Sequence, residues 1–182
     1  MAQEIESRRI VVVGTSGSGK TTCAQEIARR QGCPHIELDS LHWLPNWTPA
    51  PIESFRQQVT EALTAVTWVT DGNYSKVRDI VWGRADTLVW LDYPLPLIMW
   101  RLLRRGVRRV GRREPLWNGN QETWRGLFFS RDSLFLWALQ THQRHRREYP
   151  LLLTQPAYAH LRVHRLPTPR QTTRWLQETW GE

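Results

Sequence analysis

The chain has 182 residues, 40% of them hydrophobic, which suits one globular domain with a buried core and leaves two cramped. No run approaches the roughly 20 consecutive apolar residues of a membrane span. The opening MAQEIESRRI also lacks the apolar centre of a signal peptide, so a single cytoplasmic domain over residues 1–182 is expected. Cys23 and Cys33 lie ten residues apart without CxxC or Cys/His spacing, which indicates neither a disulfide framework nor a zinc site, and buried or reduced thiols are expected. The net charge of +8 rests on 23 arginines and two lysines, Lys20 and Lys76. Guanidinium groups bind phosphate bidentately, so this surface suits polyanionic partners, nucleotide or nucleic acid.

In chain order, residues 10–13 are a β-branched run ending at Gly14, and residues 20–30 show helical spacing at Ala24, Ile27 and Ala28. Residues 35–39 read as a second strand, followed by LHWLPNWTPAP, whose prolines predict a rigid, non-helical loop. A helix is predicted over 52–66 from Phe55, Val59, Leu63 and Val66. Strands follow at 67–70 before Asp71-Gly72-Asn73 and at 87–91 before Asp92. An arginine-laden helix runs from Leu95 to about Arg109, and polar, glycine-bearing sequence makes residues 110–133 a lid candidate. A helix over 133–149, a strand over 160–166 and a terminal helix over 170–180, with Trp175 and Leu176 inward, complete the pattern. Alternating strands and helices predict a three-layer α/β fold, a five-stranded parallel sheet with helices on both faces, and ligands beyond the carboxyl ends of the strands.

Gly14-Thr15-Ser16-Gly17-Ser18-Gly19-Lys20-Thr21 fits G-x-x-x-x-G-K-S/T between a strand and a helix, the P-loop pattern. Glycines let successive N–H groups converge on an anion, and the helix start adds its positive dipole end. Gly14, Ser16, Gly17, Ser18, Gly19, Lys20, Thr21 and Thr22 are therefore the candidate nucleotide-binding set, with ATP and Mg²⁺ as the expected cofactors. Lys20 reaches the terminal phosphates and the Thr21 hydroxyl is placed to ligate Mg²⁺. A chain that uses arginine almost everywhere keeps a lysine here, where a compact ammonium is needed.

Other strand ends narrow the class. A guanine reader of the N/T-K-x-D kind is missing, since Lys76 stands in Ser75-Lys76-Val77-Arg78. Asp71 and Asp92 are followed by Gly72 and Tyr93 rather than by the glutamate usual in motor ATPases. Taken with Leu38-Asp39-Ser40-Leu41-His42-Trp43 and Asp71-Gly72-Asn73-Tyr74, the chain to about residue 150 resembles the adenylate-kinase-related P-loop proteins known as DNA topology modulation proteins. The resemblance implies a nucleoside-monophosphate-kinase-like fold with a mobile lid, binding ATP and Mg²⁺ and transferring a phosphoryl group. The arginines that clamp AMP in adenylate kinases have no counterparts: Asp39 is followed by Ser40, Leu41, His42 and Trp43, and Ser75 stands four residues after Asp71. The acceptor stays open.

Asp39 is the candidate that holds or deprotonates the acceptor, or else a turn cap. Asp71 is the first choice for the Mg²⁺ water shell, with Asp92 as alternative. Seven arginines lie between Arg101 and Arg113. By i, i+3, i+4 spacing Arg101, Arg104, Arg105, Arg108 and Arg112 share a face opposite Leu102, Leu103 and Val110. Arg101, Arg105 and Arg109 are the catalytic candidates beside Lys20 and Asp39, because transferred phosphoryl charge needs neutralising; a solvated helical face is the alternative. Arg125 and Arg131 could close from the far side of the lid. His42, Trp43 and Trp47 form either an acceptor pocket or core. Two functions follow: an ATP-dependent kinase of a small acceptor, or a nucleotide-regulated nucleic-acid binder using the Arg101–Arg113 and Arg144–Arg147 clusters.

Overall fold

The computed structural model describes residues 8–124 and 133–181. Five parallel strands form the main sheet: β1 (Arg9–Gly14), β2 (His35–Glu37), β5 (Trp68–Asp71), β6 (Thr87–Leu91) and β7 (Arg162–Leu166), in the order β2-β5-β1-β6-β7. β1 is central, with Val12 opposite Asp71 on one side and Val89 on the other. Strand alternation sends Val11 and Val13 to one face and Ile10 and Val12 to the other. On the first face lie Phe55 and Val59 of α3 (Ile52–Ala62), Val81 and Trp82 of α4 (Arg78–Arg84) and Tyr149 of α6 (Leu134–Leu153). On the second lie Ala24 and Ile27 of α1 (Lys20–Gln31), Ile98 and Leu102 of α5 (Leu95–Arg112) and Leu176 of α7 (Pro169–Trp180). Both sheet faces are thus covered, as parallel strands require.

Several boundaries differ from the sequence expectation. The strand expected over 35–39 ends at Glu37, and Leu38–His42 is a short helix, α2, across the expected strand end and the start of the expected loop. Burial of Leu38 (1% exposed) pulls the chain into that turn. The prolines act further on: Trp43–Leu44 (β3) pairs antiparallel with Thr48–Pro49 (β4) around a turn at Asn46 and Trp47, both at positive φ. α3 stops at Ala62 rather than at 66, because the Thr64 hydroxyl caps the Glu61 carbonyl at 2.8 Å and Val66 points into solvent at 73% exposure. α5 runs on to Arg112 and ends through Arg113 in the left-handed region. Beyond it, residues 113–124 form an irregular strap with one tight turn, Trp117–Gly119.

No helix among the described residues is long and apolar enough to cross a membrane. Both cysteines are free; burial pushes the Cys23 thiol up to about 12, keeping it inert.

Candidate active site

β1 delivers its last residue, Gly14, into the loop that α1 closes. Gly17 (φ 86°) and Gly19 (φ 95°) are left-handed, which side chains resist. A Cβ on Gly17 would also stand 2.6 Å from Leu102 Cγ, so α5 packs directly on the loop. Asn73, just past β5, clasps the loop's entrance: its Oδ1 accepts the Gly14 N–H at 3.1 Å and its Nδ2 donates to the Gly14 carbonyl. The Tyr149 hydroxyl donates to the same Oδ1 at 3.2 Å. His142 of α6 reaches the Thr15 hydroxyl at 3.4 Å. The Ser18 Oγ is buried with no partner among the described residues, and Ser16, Gly17 and Gly19 are partly exposed. Such a cradle fits a phosphate chain. Thr22 is exposed on the first turn of α1.

Oxygen ligands converge on Thr21. Its hydroxyl donates to Asp71 Oδ2 at 2.8 Å and lies 3.4 Å from Glu37 Oε1. His35 Nε2 donates to the other Asp71 oxygen at 2.8 Å. No group of three or more His, Cys, Asp or Glu among the described residues could hold a metal unaided. Mg²⁺ needs no such cage, because it keeps waters and borrows phosphate oxygens; Thr21 and Asp71 fit that requirement. Burial lowers the pKa of the Lys20 ammonium, and Arg105 acts in the same direction, against Asp71, Asp39 and Glu37. Burial raises that of Glu37, aided by Asp71 and Asp39 and opposed by the Trp117 indole N–H, 2.8 Å from its Oε2.

Asp39 lies one residue into α2, where the Tyr74 hydroxyl donates to its Oδ1. Burial and the Asp39 charge raise the Tyr74 pKa, so this hydroxyl remains a donor. His42 is packed between Tyr74 (4.5 Å), Trp43 (4.8 Å) and Phe55 (4.9 Å), and Trp47 bridges Trp43 (5.6 Å) and Trp117 (6.3 Å). His42, Trp43 and Trp47 are therefore half-buried members of one aromatic cluster at the edge of the core. The strap closes the rim: Asn118 Nδ2 donates to the Trp43 carbonyl and Asn120 Nδ2 to that of Leu44, while the Trp47 N–H donates to Asn120 Oδ1 and its indole to the Gln121 carbonyl.

The arginines of α5 split into two stripes rather than sharing one face. Arg101, Arg105 and Arg109 are partly buried; Arg104, Arg108, Arg112 and also Leu103 point outwards. Arg101 donates to the Ser18 carbonyl at 2.9 Å and lies over Tyr93, so it braces the loop from outside. Arg109 and Arg105 meet Glu122 Oε1 at 2.9 and 3.9 Å. Burial, then Arg109, lowers the Arg105 pKa. Arg104 covers Trp100 and Arg108 pairs with Glu114. Asp92, the alternative Mg²⁺ partner, is committed to Arg146 and Arg165, each at 2.6 Å. Arg125 and Arg131 lie outside the described residues.

Glu37, Asn73, Tyr74, Trp117, Asn120 and Glu122 were not among the sequence candidates. The Glu37-Leu38-Asp39 spacing at a strand end was a usable signal for the first; the others act through backbone groups or distant side chains.

No family model matches the chain, and no curated protein does. Among solved structures, a gluconokinase from Sinorhizobium meliloti 1021 superposes with a TM-score of 0.54 at 20% identity, covering 96% of this chain and 90% of its own. A sugar kinase from Janibacter sp. HTCC2649 gives 0.52 at 21% identity, covering 96% and 94%. Shikimate kinase from Acinetobacter baumannii, in complex with shikimate, gives 0.54 at 17%, covering 95% and 93%. These comparisons do not reach the DNA topology modulation proteins that the sequence motifs resemble. What they share with this chain is architecture, an α/β fold with a five-stranded parallel sheet flanked by helices.

Proposed function

We propose that the protein is a cytoplasmic ATP-dependent phosphotransferase acting on a hydroxyl of a small polyhydroxylated molecule. The observation that carries this reading is the convergence of Lys20, Thr21, Glu37, Asp39 and Asp71 at the carboxyl ends of β1, β2 and β5. In it the loop from Gly14 to Thr22 holds the triphosphate and Lys20 faces its terminal phosphates. Thr21 and Asp71 would hold Mg²⁺, which would supply neutralising charge on the phosphate oxygens. Asp39, oriented by Tyr74, accepts a hydrogen bond from the acceptor hydroxyl and aligns it for attack. Arg105 and Arg109 balance the charge spread over the moving phosphoryl group.

Carboxylates for hydroxyls and aromatic walls for C–H faces suit a polyol better than a nucleotide. The absent AMP-clamp arginines point the same way, and the names of the structural neighbours refer to gluconate, sugar and shikimate, all hydroxylated carbon compounds. One observation favours the second reading, nucleic-acid binding: the outward stripe of Arg104, Arg108 and Arg112.

The test is ADP release from wild type and Lys20→Ala, screened against nucleoside monophosphates, sugars and hydroxy acids. A hydroxylated acceptor should raise ADP release in wild type and not in the variant. If no acceptor does so, while Lys20→Ala binds duplex DNA as wild type does with a steep salt dependence, the kinase reading is overturned.

A further inference from the structure

The reaction proposed above leaves one carboxylate without a part. Glu122 lies near the end of the strap with its side chain nine-tenths buried between two arginines of α5, Arg109 at 2.9 Å and Arg105 at 3.9 Å, both to Oε1. Its second oxygen, Oε2, and the Nε atoms of Arg105 and Arg109 are all buried with no hydrogen-bond partner among the described residues. Buried polar groups are normally satisfied. Here three are not, and the cluster carries one more positive than negative charge. Arg105 is also within electrostatic reach of both Lys20 and Asp39, the two sides of the proposed transfer.

We propose that Glu122 is a resident anion: it occupies the Arg105–Arg109 pair in the nucleotide-free protein, and the terminal phosphate of a nucleoside triphosphate takes the arginines from it. The inference rests on the reading that the P-loop binds a nucleotide. A phosphate offers three oxygens and more than one negative charge, so it can accept from both Nε–H groups that a single carboxylate leaves empty. A diphosphate, ending one group short, leaves Glu122 in place. Glu122 thereby determines selectivity between triphosphate and diphosphate. Its release also frees one end of the strap that Asn118 and Asn120 dock on the acceptor rim.

The experiment is calorimetric titration of wild type and Glu122→Gln with ADP and with the non-hydrolysable triphosphate AMP-PNP. Thermal unfolding would check that the variant is folded. Removing the competing charge should tighten AMP-PNP about fivefold and leave ADP unchanged. Unchanged or weaker AMP-PNP binding, or an equal shift for ADP, overturns the inference while leaving the donor site standing. If wild type binds neither nucleotide, the donor-site reading falls and takes this inference with it. Should Glu122→Gln fail to fold, Glu122→Ala must show the same separation.

Discussion

One carboxamide holds the entrance of the phosphate loop. Asn73 answers both the N–H and the carbonyl of Gly14, and Tyr149 fixes its orientation from behind. Asn73→Asp keeps the acceptor, loses the donor and adds a negative charge beside the cradle. It should cost about 1–3 kcal/mol of stability and weaken ATP roughly tenfold or more, read by thermal unfolding and calorimetry; a variant binding ATP as tightly as wild type would contradict the clasp. Lys20 and Thr21 stand out in sequence because a phosphate loop dictates residue type and spacing, and Asp71 because it ends an apolar strand before Gly72. Asn73 was visible as part of DGNY, but its role was not, since a side chain bonding to a distant backbone leaves no pattern in sequence. Glu37 was hidden by the assumption that the strand continued to Asp39.

At the scale of elements, α5 shows what periodicity can and cannot say. Spacing places arginines three and four apart on adjoining lines of a helix. It does not say where the boundary between buried and exposed surface falls, and here that boundary runs between the 101-105-109 line and the 104-108-112 line. The short helix α2 and the strap were illegible for a related reason: their form depends on Leu38 finding the core and on Asn118 and Asn120 finding carbonyls some 75 residues away. Asn120 is the centre of that junction, 4% exposed and bonded to Trp47 and Leu44. Asn120→Ala should speed hydrogen exchange at the Trp47 amide about tenfold or more, with β1 amides unaffected. Equal protection in the variant would show that the strap is held by other means.

At the scale of the whole molecule, the class of fold was readable because β1, β5 and β6 are short β-branched or apolar runs and strands alternate with helices along the chain. The insertion of β5 between β2 and β1 was not, because strand order is a long-range matter. Packing both sheet faces also buries His145 of α6 against Tyr149, with ring centroids 4.6 Å apart. Burial holds its pKa at about 3, below the ordinary 6.5. The folded protein then carries it neutral while the unfolded chain takes up a proton, so stability is present above pH 6.5 and declines as pH falls towards 3. At pH 5 the loss is roughly 2 kcal/mol. His145→Gln should flatten this acid limb in denaturant titrations between pH 5 and 7; an unchanged slope would assign acid lability elsewhere.

The junction of the strap with the loop between β3 and β4 has one more property. Trp47 belongs to the loop and Trp117 to the strap, and their indoles stand nearly perpendicular, at 79°, with centroids 6.3 Å apart. Neighbouring indoles share their excitation, and the sharing fades steeply with distance. Any parting of the two therefore changes the tryptophan exciton signal in far-ultraviolet circular dichroism, so the chain carries an optical reporter of the strap's position that works whether or not a reaction is turning over.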